Sequence, residues 1–339
     1  MSEPNRGGLL QKPTKRNRFE ISVSHPQMPL GTEIDSGGRG GIGCKALDFD
    51  DLPEVCIANV LSFTSPRDAC RLSLVSTTFR SAADLDAVWD KFLPPDYQDI
   101  IFRSSAASAL YFSSKKQLYL TLAQKPLLID DCELSFFLDK WYGKKCYMLS
   151  ARTLSIVWAD TPRYWKYTSL PETRFAEVAE LISVCWLEIR GRISTCMLSP
   201  ETLYTAYLVF KPTIRSYGFD YQPVEAAVGL VGGESHNRTI YLDAEKERRR
   251  HYQNFPMRAA LFSHARVVDV QAPMPGESVD GQYPKERDDG WLESELGDFF
   301  YEGREDGELE MGVSEVKGGG WKGGLIVQGI EIRPKETIK

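Results

Sequence analysis

The sequence predicts an α+β protein, with a small helical unit near the N-terminus followed by a larger β-sandwich or jelly roll. Three observations lead there. Residues 46–93 read as short apolar helices punctuated by proline and N-cap signals. From about residue 146 onward, short β-prone runs are separated by Gly and Pro turns. Two of those runs, 291–296 and 326–332, place apolar residues at roughly every second position, the period of a half-buried strand.

Taken in order, residues 1–45 are rich in Gly, Pro, Ser and charge, hold no apolar period, and are expected to be a disordered tail. Residues 46–93 form the helical unit. Residues 94–145 are expected to be a helical linker, with helices near 117–123 and 134–141. The β domain is expected over 146–335, with strands near 154–158, 186–190, 205–210, 226–231, 239–242, 291–296, 308–316 and 325–332. One helix, at 174–183, is expected to interrupt them.

Composition bounds the function. A chain of 339 residues with 42% hydrophobic and 11% aromatic content has a core to bury. A net charge of -6 argues against a dedicated nucleic-acid binder. The seven cysteines are scattered without a CxxC pair, and the four histidines form no zinc spacing with them. No metal and no cofactor is therefore expected, and the thiols read as reduced, in the cytoplasm and nucleus. No apolar run approaches the roughly 18 residues that a membrane helix needs, and no secretory signal is expected at the N-terminus. The stretch Gly38-Arg-Gly-Gly-Ile-Gly43 fits GxGxxG, but it follows no strand and opens no helix, so no dinucleotide site is read from it. Lys246-Glu-Arg-Arg-Arg-His251 is a basic cluster, read as a solvated loop or as a nuclear-import signal.

In the helical unit, Pro53 suits the first turn of a helix, where its missing N–H costs nothing. Ser65, Pro66 and Asp68 have the order of an N-cap, a first-position proline and a capping-box acid. The first helix is apolar nearly all round, through Val55, Cys56, Ile57, Ala58, Val60, Leu61 and Phe63. One stripe can face its own unit. A second stripe on so small a unit points to a partner protein, or to cover from the following domain.

The segment resembles an F-box. The resemblance rests on Leu52-Pro53, the Ile57…Val60-Leu61 stripe, the Leu72…Leu74-Val75-Ser76…Phe79-Arg80 run and Trp89. What it implies is docking on a Skp-type adaptor, and through it on a cullin and a RING protein. Leu52, Pro53, Ile57, Val60, Leu61, Val75, Ser76 and Trp89 are the positions it assigns to that interface.

In the β domain, Trp158 and Trp165 flank a turn set by Asp160 and Pro162. Indoles around a polar turn suit a sugar ring, whose C–H face stacks while its hydroxyls bond at the edge; on the residues alone, filling the sandwich core is the favoured reading. Residues 289–301, 305–311 and 320–334, with the runs around 178–189 and 205–211, resemble the phloem protein 2 family, which includes the Nictaba-type lectins. That resemblance implies a non-catalytic sugar-binding domain for GlcNAc-containing glycans or glycoproteins, with stacking by Trp158 and Trp165 and hydrogen bonding by Glu308 and Glu315. This chain departs from the lectins at Lys166-Tyr167, where they carry another Trp, and by insertions at 216–223 and 272–287. Glu308 and Glu315 are seven apart, so a regular strand points them to opposite faces unless a bulge near Gly312 intervenes. A glycosidase pair at these positions would need separation of about 5–9.5 Å across a cleft. The expected whole is an F-box substrate receptor of an SCF-type ubiquitin ligase with a lectin-like domain; its rival is an F-box adaptor whose sandwich binds a protein and no sugar.

Overall fold

A computed structural model describes residues 52–104, 112–220, 222–243, 283–304 and 306–335. Contacts divide the chain into Met1–Leu47, which lies outside the described residues together with the expected tail, and Asp48–Lys339. The basic cluster at 246–251 also lies outside them.

Six helices come first: α1 (Glu54–Leu61), α2 (Pro66–Leu72), α3 (Thr77–Asp84), α4 (Asp86–Phe92), α5 (Tyr97–Phe102) and α6 (Lys115–Gln124). Local chemistry sets their starts. Ser65 caps α2, its Oγ accepting from Asp68 N at 3.1 Å and donating to Asp68 Oδ2 at 2.8 Å, with Pro66 at the first position. Ser76 and Ser114 cap α3 and α6 in the same way, accepting from Phe79 N and Gln117 N. Pro53 sits at the N-cap of α1.

The strands are β1 (Leu127–Ile129), β2 (Leu134–Leu138), β3 (Lys145–Ser150), β4 (Ser155–Ile156), β5 (Trp165–Thr168), β6 (Val178–Leu181), β7 (Leu187–Ser194), β8 (Thr202–Tyr217), β9 (Pro223–Leu230), β10 (Ser235–Tyr241), β11 (Lys285–Glu286), β12 (Leu292–Tyr301), β13 (Glu308–Glu315) and β14 (Gly323–Pro334). They form two antiparallel sheets. The larger runs β1-β2-β3-β14-β8-β12-β11, with β6 also on β14 and β5 on β6; the smaller runs β10-β9-β13-β7-β4. Their inner faces share one core, in which Leu208, Leu296 and Ile330 of one sheet meet Ile189, Val228 and Met311 of the other. The α+β class and the order helices-then-sandwich are as the sequence predicts.

Two expected helices are strands. Residues 134–138 form β2, which pairs with β3 (Phe136↔Tyr147), so the sheet begins at Leu127, inside the expected helical linker, rather than at residue 146. A five-residue apolar run carries no period that separates strand from helix, and the long-range pairing decides. The expected helix at 174–183 is replaced by β6, which inserts between β5 and β14. β14 also fails to alternate. Its register slips at Val327/Gly329, and residues 327–332 are buried on both faces. Its outer face is covered by the 170–178 segment, where Phe175 and Val178 pack with Met148, Val209 and Trp291. Beside that small core, Glu331 is locked by Arg174, Arg287 and Arg333. Burial pushes its carboxyl up, but the three guanidiniums outweigh it and hold it at about 2.

The helices are not a separate body. Ile57, Leu61, Val88 and Trp89 belong to the same apolar core as Tyr119, Leu122, Phe136 and the sandwich interior. Among the described residues no helix is long and apolar enough to cross a membrane.

Candidate functional site

Two surfaces carry the predicted site residues. On the helical unit, α1 turns Ile57, Ala58 and Leu61 inward. Its other stripe is left to solvent: Val55 and Val60 are 72% and 54% exposed, Phe63 just past its end is 84% exposed, and Leu74 and Val75 beyond α2 are 77% and 67% exposed. Large apolar groups at that exposure on one small unit make a surface that water solvates poorly. The predicted adaptor positions divide accordingly. Pro53, Val60 and Val75 are exposed, and Leu52 is half-buried against the core. Ser76 is occupied as a helix cap. Ile57, Leu61 and Trp89 are corrected: they are buried to 2% or less, and the Trp89 Nε1–H donates to the Ala83 carbonyl at 2.7 Å, so they support the surface from below. Val55, Phe63 and Leu74 are exposed beside them, although the F-box resemblance did not assign them; the apolar run from Val55 to Phe63 was the signal for the first two.

On the sandwich, the turn after β4 is tied to β7 by Val157 N–H donating to Glu188 O at 3.1 Å. Trp158 follows with a φ of 62°, a left-handed conformation costly for a bulky residue, and is 37% exposed. Its ring lies 5.3 Å from Tyr164 and 6.4 Å from Trp186, centroid to centroid. Trp186 is 44% exposed, and its Nε1–H donates to Glu188 Oε2 at 3.1 Å. Glu188 Oε1 in turn pairs with Arg190 at 2.7 Å. The result is an open aromatic platform with a carboxylate at its rim.

The other predicted sugar contacts are not there. Trp165 is the first residue of β5, pairs with Leu181, and is buried. Glu315 is buried at the end of β13, in an ion pair with Lys322. Glu308 is exposed at the opposite end of that strand. The register of β13 against β7 runs without a shift from Glu308↔Ser194 to Glu315↔Leu187, so no bulge forms at Gly312. Seven residues at about 3.3 Å each separate the two carboxylates by roughly 23 Å. They cannot share a sugar, and the glycosidase pair at these positions is overturned by the same distance. The platform includes Tyr164, Trp186 and Glu188, which the sequence did not single out as candidate site residues. Trp186-Leu-Glu188 was legible as a strand start, but its approach to Trp158 depends on the β4–β7 pairing. Among the described residues no group of three or more His, Cys, Asp or Glu is placed to hold a metal.

Comparison with known proteins identifies both domains. Residues 144–334 match the family model for phloem protein 2, and residues 49–91 match that for the F-box domain. The chain is similar to F-box protein PP2-B1 of Arabidopsis thaliana, at 44% identity over 313 residues, covering 86% of this chain and 92% of that protein. It is similar to F-box protein PP2-B10 of the same plant, at 44% identity over 305 residues, covering 89% of this chain and 100% of that protein.

Proposed function

This chain belongs to the F-box proteins that carry a phloem protein 2 domain, and from that premise we propose that it is the substrate-receptor subunit of an SCF-type ubiquitin ligase that selects glycoproteins by their glycans. The exposed Val55, Val60, Phe63, Leu74 and Val75 supply the apolar face for a Skp-type adaptor. The sandwich supplies the ligand site. No catalytic group is required of it, because the adaptor, cullin and RING protein would bring the conjugating chemistry. Scattered cysteines support action in the cytoplasm and nucleus.

The observation that carries the glycan reading is the Trp158–Tyr164–Trp186 platform with Glu188 at its edge. A GlcNAc ring stacks its C–H face on an indole, while a carboxylate accepts from its hydroxyl or amide N–H. The test is glycan-array binding by the full chain against a Trp158→Ala/Trp186→Ala variant of unchanged fold. Binding lost in the variant supports the glycan receptor. No binding by the wild type sinks it.

A second reading, a protein-binding sandwich without sugar recognition, is favoured by the burial of Trp165 and Glu315. It retains the F-box role and predicts a silent array together with capture of the adaptor.

A further inference from the structure

A cleft of about 750 Å³ lies where the F-box helices meet the sandwich. One wall is the F-box: Ser62, Thr64 and Ser65 in the turn from α1 to α2, and residues 91–96, from the end of α4 to the start of α5. The other is the sandwich: residues 142–145, where the β2–β3 turn enters β3, residues 198–200 before β8, and Asp306 before β13. Phe92, Leu93, Leu198 and Tyr301 are buried and give the cleft an apolar base. Lys145, its side chain 7% exposed, is neutralised there by Asp96 at 2.9 Å.

The rim of the cleft is cationic. Lys91 is exposed and Lys144 half-buried. Arg67, next in the chain to the lining Pro66, and Lys140, two before the lining Tyr142, both lie over the indole of Trp141, at 4.5 and 4.8 Å from its centroid. One ring of the β2–β3 turn thus gathers a charge from α2 and a charge from its own turn. Among the described residues none of these four cations has a carboxylate within ion-pair distance, because the acids nearby are committed elsewhere. Asp68 pairs with Arg71, Asp90 pairs with Lys115, and Asp139 accepts from the N–H groups of Trp141 and Tyr142. Asp306 is the one lining carboxylate left open among the described residues. Lys144 Nζ donates to the Pro200 carbonyl at 3.2 Å, and burial holds its ammonium below the usual lysine range, with Glu201 opposing the shift. An incoming anion would relieve that desolvation through a charge-assisted hydrogen bond.

The cleft also continues the exposed apolar face. Phe63, 84% exposed, stands in the chain between Ser62 and Thr64 of the cleft wall. A protein seated on Val60, Phe63 and Val75 therefore reaches the cleft mouth. We propose that the cleft is a second contact for the Skp-type adaptor, taking an acidic segment of it between Arg67 and Lys91 of the F-box and Lys140 and Lys144 of the β2–β3 turn. The sandwich then helps to hold the ligase as well as to select the target. The proposal rests on the adaptor reading and is independent of the glycan reading. Charges at such a rim act mainly on the rate of association, and their effect fades as salt screens them.

The test is the kinetics with which a plant Skp-type adaptor binds the full chain, followed from low to high salt. Lys140→Gln/Lys144→Gln is expected to keep its melting temperature, to slow association by about tenfold at low salt and to converge on the wild type at high salt. Lys140→Arg/Lys144→Arg, which keeps both charges, is expected to associate as the wild type does. Lys166→Gln/Lys317→Gln removes the same charge away from the cleft, Lys317 lying past the end of β13 opposite to Asp306, and is expected to bind as the wild type. Val60→Asp is expected to weaken binding at every salt concentration. Wild-type association by Lys140→Gln/Lys144→Gln at low salt, with Val60→Asp still impaired, overturns the cleft contact and leaves the adaptor face standing. Equal slowing by Lys166→Gln/Lys317→Gln assigns the effect to net charge and also overturns the cleft contact. If Lys140→Gln/Lys144→Gln does not fold, Lys91→Gln, at an exposed position, decides by the same kinetics. A wild type that binds no adaptor overturns the adaptor reading and the cleft contact with it.

Discussion

Trp89 of α4 packs its ring 5.2 Å from Tyr119 of α6, and the Tyr119 hydroxyl donates to the Asp139 carbonyl at 2.9 Å, in the turn between β2 and β3. One aromatic contact and one hydrogen bond thus join the F-box helices to the large sheet. A substrate receptor of the proposed kind must hold its target at a set distance and angle from the ligase that modifies it. A shared core meets that need better than a hinge would.

Trp89→Ala is accordingly expected to damage the whole protein rather than the adaptor interface alone. Removing a fully buried indole costs about 3–5 kcal/mol through lost burial and the cavity left behind. Chemical denaturation should show the loss in one transition reported equally by helical and sheet signals. A variant in which the sheet melts at wild-type denaturant concentration while the helices are lost would contradict the shared core. For the same reason, a fragment that begins at residue 146 omits β1 and β2, exposes Tyr147 and Leu149 of β3, and is expected to aggregate.

The proposed adaptor surface separates cleanly from the residues beneath it. Val60→Asp and Val75→Asp each place a charge on an exposed apolar side chain. Each is expected to weaken binding to a Skp-type adaptor by about tenfold or more with little change in stability. Ile57→Ala, by contrast, is expected to lower stability by about 2–5 kcal/mol. Adaptor titration calorimetry beside thermal melts checks both; wild-type affinity in both aspartate variants would exclude this face.

The two tryptophans of the turn should behave in opposite ways. Trp158→Ala removes an exposed platform residue and should abolish glycan binding while changing stability by no more than about 1 kcal/mol. Trp165→Ala empties a buried site on β5 and should cost about 3–5 kcal/mol. Array binding and denaturation of the same two proteins distinguish them, and a destabilised Trp158→Ala with an indifferent Trp165→Ala would invert the assignment.

Acid stability should report Glu331. Its folded value of about 2 lies below the ordinary carboxylate value of 4.5. The group therefore contributes its full stability above pH 4.5, and that contribution is lost as the pH falls from there toward about 2. The shift corresponds to roughly 3 kcal/mol. Glu331→Gln is expected to flatten the dependence of unfolding free energy on pH across that window. It is also expected to cost about 3–5 kcal/mol near neutrality, since Arg174, Arg287 and Arg333 lose a shared partner. Urea titrations at stepped pH provide the check; parallel wild-type and variant curves would refute the linkage.

What the sequence determined by itself was the material that acts locally or through an ordered motif. Ser65-Pro66-Arg67-Asp68 specifies a helix start within four residues, because the cap, the proline and the acid all bond inside one turn. The motif order Leu52 to Trp89 identifies the F-box, and the runs over 178–211 and 289–334 identify the phloem protein 2 domain, without reference to any contact. Tertiary structure decided the rest. Residues 134–138 and 178–181 are strands because distant partners hydrogen-bond to them, a fact no short window contains. It buried Trp165 and Glu315 and exposed Trp158, although all sit in equally suggestive stretches, because side-chain direction follows strand register and register is set by pairing across the fold. It also brought Trp186 to Trp158 through the β4–β7 pairing and Lys322 to Cys185 through the bridge at Val184, between residues whose separation along the chain carries no trace of their proximity.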